Sequence, residues 1–201
     1  MNRLLLSLIL SIPGIAHLAG QSPLADSVGG YSGEQGKQGW SYLYYVSSKD
    51  GTGTYVPDDA RPMKWAATSG DAKEIWLAPQ PWLSLSRESA KSRVVDDCYQ
   101  GWAVRRWTSD QDGEIEIRGS AKCTAKAGEG DEAGDGVLLR IFVDGKEVFN
   151  KPLPPQAVAE FQIPTPIRRG SKVDFAITPG PGLNALFDGA HFNATIGKAT
   201  K

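Results

Sequence analysis

The stretch that decides the fold reads Gly136-Val137-Leu138-Leu139-Arg140-Ile141-Phe142-Val143-Asp144-Gly145-Lys146-Glu147-Val148-Phe149. Both halves are rich in β-branched and aromatic residues, which favour strands. The pair Asp144-Gly145 between them is typical of a type I′ turn, which joins two antiparallel strands. This stretch therefore predicts a β-hairpin.

A second hairpin is predicted earlier in the chain. The segment Trp102-Ala103-Val104-Arg105-Arg106-Trp107 is followed by the turn pair Asp112-Gly113 and then by Glu114-Ile115-Glu116-Ile117-Arg118. Polar and apolar residues alternate strictly in the last of these, which is typical of a strand with one buried face. Further strands are predicted at 40–46, 63–65, 74–77, 158–163, 172–177 and 191–196.

The rest of the pattern favours an all-β protein. No window has a sustained helical period, and the 23 glycines and 13 prolines are spread along the chain. Short strands with frequent turns are typical of a β-sandwich or jelly roll. We therefore predict a β-sandwich or jelly roll of short antiparallel strands over residues 39–201, preceded by an extended N-terminal arm at 21–38.

The first 20 residues have the layout of a signal peptide. They begin with a basic residue, Arg3, continue with an apolar run from Leu4 to Ile12, and end on the small residues Ala19 and Gly20. The apolar run is shorter than the roughly 20 residues that a membrane-spanning helix needs. We therefore expect export to an extracellular or periplasmic compartment, without a membrane span.

Charge argues against a nucleic-acid partner. Removal of residues 1–20 leaves 21 Lys and Arg against 23 Asp and Glu. Affinity for nucleic acids depends on a basic excess or a basic face, and this chain has neither.

The two cysteines, Cys98 and Cys123, predict a disulfide in an oxidising compartment. Such a bridge would stabilise the fold by about 3 kcal/mol in the chain-entropy model. A metal pair and a reactive thiol are the alternatives, and the sequence offers no nearby histidine to support either of them.

No catalytic residue is predicted. After the leader only His191 remains as a histidine, so serine, cysteine and zinc hydrolase sites lack their imidazoles. Asp112, Glu114 and Glu116 superficially resemble the carboxylates of jelly-roll retaining glycosidases. The residue types differ from that signature, and the spacing suits a solvated strand face. A retaining glycosidase is kept as an alternative.

Aromatic residues point to ligand binding. A tryptophan or tyrosine that stands open can stack on the flat C–H face of a sugar ring while polar neighbours bind the hydroxyls. Trp40, Tyr42 and Tyr44 share one strand face, which is either a core wall or a platform. The predicted ligand-binding residues are Trp40, Tyr42, Tyr44, Trp65, Trp76 and Trp82.

One acidic loop is a secondary candidate site. Asp131, Glu132 and Asp135 are interspersed with glycines and could hold calcium through their oxygens. The EF-hand spacing is missing, and a solvated loop is the alternative. No other cofactor is expected.

Several segments together carry a resemblance. They are Gln35-Gly36-Lys37-Gln38-Gly39-Trp40-Ser41-Tyr42, the two predicted hairpins, Arg169-Gly170-Ser171-Lys172-Val173-Asp174-Phe175, and the stretch from Asp188 to Ile196. In this order they resemble a β-sandwich module of secreted bacterial proteins, similar to galactose-binding-like carbohydrate-binding modules. The resemblance runs from about Gln35 to Ile196 and implies the fold rather than particular ligand residues.

The sequence thus predicts a non-catalytic, lectin-like protein that binds an extracellular glycan. A structural or surface protein-interaction module is the main alternative.

Overall fold

The computed structural model describes residues 22–48, 53–69, 72–94, 99–126, 128, 134–180, 182 and 189–199. Short 3₁₀ turns lie at Lys37–Gly39 and Pro57–Asp59. The strands of the described residues are β1 (Ala25–Asp26), β2 (Trp40–Ser48), β3 (Arg61–Pro62), β4 (Lys64–Ser69), β5 (Ala72–Leu77), β6 (Ser84–Leu85), β7 (Ser89–Lys91), β8 (Arg93–Val94), β9 (Tyr99–Thr108), β10 (Gly113–Cys123), β11 (Val137–Val143), β12 (Lys146–Leu153), β13 (Val158–Ile167), β14 (Lys172–Pro179) and β15 (Ala190–Lys198).

These strands form two antiparallel sheets, which confirms the predicted all-β sandwich. Sheet A has the order β13-β10-β15-β7-β6-β5-β4, with β1 paired to β15. Sheet B has the order β12-β11-β14-β9-β2-β3, with β8 paired to β9. The apolar inner faces of both sheets contribute to one large core cluster.

The hairpin predicted at 136–149 is confirmed. Strands β11 and β12 pair in antiparallel register, with Val143 opposite Lys146. Between them, Asp144 and Gly145 have φ angles of 50° and 83°. Positive φ at both central residues is what a type I′ turn requires.

The hairpin predicted around Asp112-Gly113 is wrong. Strand β9 lies in sheet B between β2 and β14, whereas β10 lies in sheet A between β13 and β15. The Asp112 carboxylate accepts a hydrogen bond from the backbone N–H of Arg169 at 2.8 Å. The physical reason is that β9 is buried on both faces from Gln100 to Trp107, so it occupies the middle of its own sheet.

A second, smaller apolar cluster explains the double burial of β9. It lies on the outer face of sheet B and consists of Leu43, Tyr45, Tyr55, Trp102, Val104, Phe142 and Ala176. Beside it, the Arg106 guanidinium pairs with Asp174 through two hydrogen bonds, Nε to Oδ1 at 2.6 Å and Nη2 to Oδ2 at 2.9 Å. The Tyr55 hydroxyl donates to the same carboxylate at 2.9 Å.

The next side chain back along β9, Arg105, points into the core between the sheets and is 1% exposed. Its Nη1 donates to the carbonyls of Ser27 at 3.0 Å and Arg87 at 3.1 Å. Its Nη2 donates to the carbonyl of Ser86 at 2.6 Å. One guanidinium thus joins a central strand of sheet B to the N-terminal segment and to the β6–β7 turn of sheet A.

Aromatic rings surround this buried charge. The guanidinium carbon lies 5.7 Å from the ring centroid of Tyr31, 5.8 Å from that of Tyr42 and 5.7 Å from that of Phe192. Burial lowers the pKa of Arg105 to about 10, and its side chain therefore remains charged at neutral pH.

The N-terminal segment, predicted as an arm over 21–38, packs onto the sandwich within its described residues. Ala25 pairs with Ile196 of β15. Tyr31 is 7% exposed, and its ring meets that of Tyr42 edge to face at 5.2 Å. The packed residues of the domain therefore begin before position 39.

Three predictions fall wholly or partly outside the described residues. The leader at 1–20, Cys98, and the Asp131 and Glu132 of the acidic loop all lie there. Cys123 is buried at the end of β10. The signal peptide, the disulfide and the calcium site stay predictions. Within the described ranges, no helix is long and apolar enough to cross a membrane.

Replacement of Arg105 by alanine should lower the free energy of unfolding by at least about 3 kcal/mol. Each of the three carbonyls, one buried and two partly buried, would lose its donor, at a cost of about 1 kcal/mol or more apiece. Urea unfolding followed by circular dichroism measures this. Arg168→Ala removes an exposed arginine and should change stability by less than about 0.5 kcal/mol. Equal stability of the two variants would contradict the role assigned to Arg105.

Candidate functional site

The aromatic face of β2 turns toward sheet A. Trp40, Tyr42 and Tyr44 are 1%, 0% and 7% exposed. Tyr42 stacks on Trp76, with ring centroids 4.9 Å apart and an interplanar angle of 14°, and Trp76 is itself 3% exposed. This face is thus a core wall rather than a platform. Sheet A covers Trp40 and Tyr42, whereas Trp76, which lies on β5 of sheet A, is covered by Tyr42 of sheet B, so none of the three stands open to a ligand in this structure.

Burial also fixes the chemical state of this wall. Desolvation raises the pKa of Tyr42, so its hydroxyl stays protonated. That hydroxyl accepts a hydrogen bond from the backbone N–H of Ser32 at 3.2 Å. The Tyr42 hydroxyl is therefore held by an internal partner.

Trp65 lies at the rim of the core and is partly exposed. Its ring centroid is 6.0 Å from that of Tyr31 and 5.4 Å from that of Trp76. Gly33 lies against the ring so closely that a Cβ there would come within 2.7 Å of it. A ligand contact by Trp65 stays a prediction.

Trp82 is placed very differently. All six tryptophans lie in described residues, and Trp82, at 71% exposed, is the one that stands largely in solvent. It belongs to the loop between β5 and β6. The next residue, Leu83, is 0% exposed, so the exposed indole is attached to a buried anchor.

A strained turn presents the Trp82 ring. The N–H of Leu83 donates to the carbonyl of Gln80 at 3.4 Å, which closes a turn with Pro81 and Trp82 at its centre. Trp82 has φ of 69°. Proline followed by a positive φ defines a type II turn, whose third position normally holds glycine. An L-residue in this region costs roughly 1–2 kcal/mol, and such strain concentrates at functional sites.

A polar group of the same turn is unsatisfied. The side-chain oxygen Oε1 of Gln80 is buried, and within the described part of the chain it has no hydrogen-bond partner. A buried acceptor without a donor is costly, and native structures rarely keep one without a reason. The turn thus combines an open apolar ring with an acceptor that lacks a donor.

Trp82 shares one end of the sandwich with other exposed apolar side chains. β6 pairs with β7, which continues directly into β8 of sheet B. Arg93 of β8 pairs with Gly101, which in turn pairs with Val46. Val46 is 39% exposed and Tyr99, near the same strand ends, is 50% exposed. We call this end, with Trp82, Val46 and Tyr99, the apolar end.

The carboxylates of the glycosidase alternative lie elsewhere. Glu114 and Glu116 stand on the outer face of sheet A, opposite the buried Ile115 and Ile117, which confirms the predicted solvated face. Arg118 forms an ion pair with Glu116. Together with the Asp112 contact to Arg169, this gives two of the three carboxylates structural partners.

Sequence reasoning missed a groove near the apolar end. It encloses about 560 Å³ and is lined by Tyr44, Val46, Asp58, Asp59 and Arg61. Only Tyr44 was predicted to bind a ligand. The charged run after Pro57 was visible in the sequence, but no local pattern shows that Arg61 pairs with Tyr44 across β3 and β2.

Comparisons with known proteins do not identify a family. No protein-family model matches this chain, and no curated protein matches it. Among solved structures, it is similar to a ruminal GH26 endo-β-1,4-mannanase (15% identity, TM-score 0.33), covering 78% of this chain and 26% of the mannanase. The chain is also similar to rabbit GITRL (7% identity, TM-score 0.33), and the match covers 80% of this chain and 94% of the GITRL chain. A third similar structure is a CBM35 from Paenibacillus barcinonensis (13% identity, TM-score 0.31), and the match covers 77% of this chain and 98% of the CBM35 chain.

Strain at Trp82 is testable by comparing two small replacements. Trp82→Gly should be more stable than Trp82→Ala by about 1 kcal/mol, since glycine adopts a positive φ without the Cβ clash. Both variants remove the same indole, so alanine is the matched control. Thermal unfolding measures the difference. A glycine variant no more stable than the alanine variant would contradict the assigned turn.

Proposed function

We propose that this protein is a non-catalytic, lectin-like carbohydrate-binding protein that stacks a sugar ring on an exposed aromatic side chain. The observation that supports the proposal is Trp82, which is 71% exposed on a turn that favours glycine. An exposed indole in a strained turn lowers stability. Such a cost is typically kept where the side chain is used.

The chemistry of the turn suits a sugar. A pyranose has a flat face of C–H groups and a rim of hydroxyls. The indole face covers the C–H groups by dispersion and apolar burial.

The turn is also arranged before a ligand arrives. Pro81 fixes its own φ near −65°. The N–H of Ala78 donates to the carbonyl of Leu83 at 3.0 Å, which closes the base of the loop. A ring held in advance loses little conformational entropy on binding.

The proposed role is binding rather than turnover. His191 is exposed on β15, opposite Lys122 of β10, and has no nucleophile assigned to it. The proposed ligand is an extracellular glycan, in keeping with the predicted signal peptide. The resemblance to galactose-binding-like modules of secreted proteins belongs to the same proposal.

A second candidate function is a protein-interaction module. The three exposed apolar side chains of the apolar end favour it, because such patches often mark protein interfaces. Light scattering over a range of protein concentrations tests it. Concentration-dependent assembly that added polysaccharide does not change would favour this candidate over glycan binding.

Affinity electrophoresis against xylan, mannan, galactan and mixed-linkage glucan tests the proposed function. Retardation by at least one polymer is expected for the wild type. Trp82→Ala should weaken it by about 30-fold or more, since loss of a tryptophan hot spot costs about 2 kcal/mol or more. Trp82→Tyr keeps an aromatic face and should retain part of the binding.

The matched control is Val56→Ala, which shortens an apolar side chain that is 41% exposed and lies outside the apolar end. Its retardation should equal that of the wild type. Polysaccharide binding that Trp82→Ala leaves intact would refute the proposed role of Trp82. No retardation by any of the four polymers would count against glycan binding itself.

A further inference from the structure

The side chains on the inner face of β2 are buried at its start and become exposed toward the apolar end. Along this face the exposed fraction is 1% at Trp40, 0% at Tyr42, 7% at Tyr44 and 39% at Val46. The last two residues line the groove of about 560 Å³. Small-ligand sites typically enclose about 300–1,000 Å³, so the groove can take one or two sugar units.

Tyr44 brings an unused polar group to this groove. More than nine-tenths of the residue is buried, and it still lines the groove. Its hydroxyl makes no hydrogen bond to any residue that the structure describes. The hydroxyl oxygen itself is not buried, so it is open to the groove, where it can both donate and accept hydrogen bonds.

Two opposite charges stand next to it. Arg61 pairs directly with Tyr44, which puts both side chains on one face of the sheet with Cβ atoms about 5 Å apart. Asp59, two residues earlier, ends the 3₁₀ turn and lines the same groove. Neither Asp59 nor Arg61 forms an ion pair within the described part of the chain.

The other carboxylate of the groove is already engaged. Asp58 forms an ion pair with Lys172, and a hydrogen bond from Lys172 lowers the pKa of the Asp58 carboxyl. With Asp58 neutralised by Lys172, and Asp59 balanced by Arg61, the groove favours an uncharged ligand.

The hydrogen-bond donors and acceptors of the groove match two neighbouring hydroxyl groups of a sugar. A carboxylate only accepts hydrogen bonds and a guanidinium only donates them, whereas a sugar hydroxyl does both. One hydroxyl can donate to Asp59 while its neighbour accepts from Arg61, and the Tyr44 hydroxyl can bond to either. Val46 supplies an apolar surface for the C–H groups of the ring.

We propose that this groove is a second sugar subsite, which recognises the vicinal diol of a neutral pyranose independently of Trp82. The proposal rests on the proposed carbohydrate-binding function and deepens it. Trp82 would hold a polymer by stacking, whereas the groove would bind a single sugar unit by directed hydrogen bonds.

Saturation-transfer NMR with the methyl glycosides of galactose, glucose, mannose and xylose tests the subsite. At least one glycoside should bind the wild type. Arg61→Ala should weaken it by about 10-fold or more, the usual effect of losing a charged hydrogen bond. Tyr44→Phe removes only the hydroxyl and should weaken binding by about 3- to 10-fold. Arg168→Ala, an exposed arginine elsewhere, is the control and should bind normally.

The outcomes separate the two proposals. Glycoside binding that Trp82→Ala retains and Arg61→Ala loses would support the subsite. Trp82-dependent retention by a polysaccharide, with no glycoside bound, would overturn the subsite and leave the proposed function standing. Glycoside binding that neither Arg61→Ala nor Tyr44→Phe changes would place the sugar outside this groove and also overturn it.

Discussion

The rest of the structure depends on one buried cation. Arg105 sits in the middle of sheet B, yet its guanidinium binds three carbonyls that belong to the N-terminal segment and to the β6–β7 turn. A buried charge is costly without hydrogen-bond partners, so these carbonyls must stay in place. The contact fixes how sheet A lies over sheet B. It also holds the β4–β7 side of sheet A, which carries the Trp82 turn, against the core.

The sequence predicted the parts of this fold that depend on local signals. The type I′ turn at Asp144-Gly145 has its own residue code, and the hairpin around it is present. At Asp112-Gly113 the same code is present, but the two strands part into different sheets. The cluster on the outer face of sheet B decides this, and its members Tyr45, Trp102 and Phe142 are far apart in the sequence.

The candidate site shows the same division. Side chains alternate between the two faces of a strand, so the sequence predicts which aromatic residues share a face. It does not show which face a second sheet covers, and in the structure Trp40 and Tyr42 lie in the core. Trp82 was predicted to bind a ligand, and it is the predicted aromatic whose ring stands largely in solvent. The groove at Tyr44 was not predicted from the sequence, because Arg61 lies beside Tyr44 only through the pairing of β3 with β2.

Iodide quenching of tryptophan fluorescence, with and without a bound polysaccharide, tests the central claim most directly. Four of the six tryptophans are buried and Trp65 is partly covered, so the iodide-accessible signal comes mainly from Trp82. Stacking predicts that a retained polysaccharide shields this signal from iodide. A protein that is fully bound to the polymer, with quenching unchanged, would contradict the account.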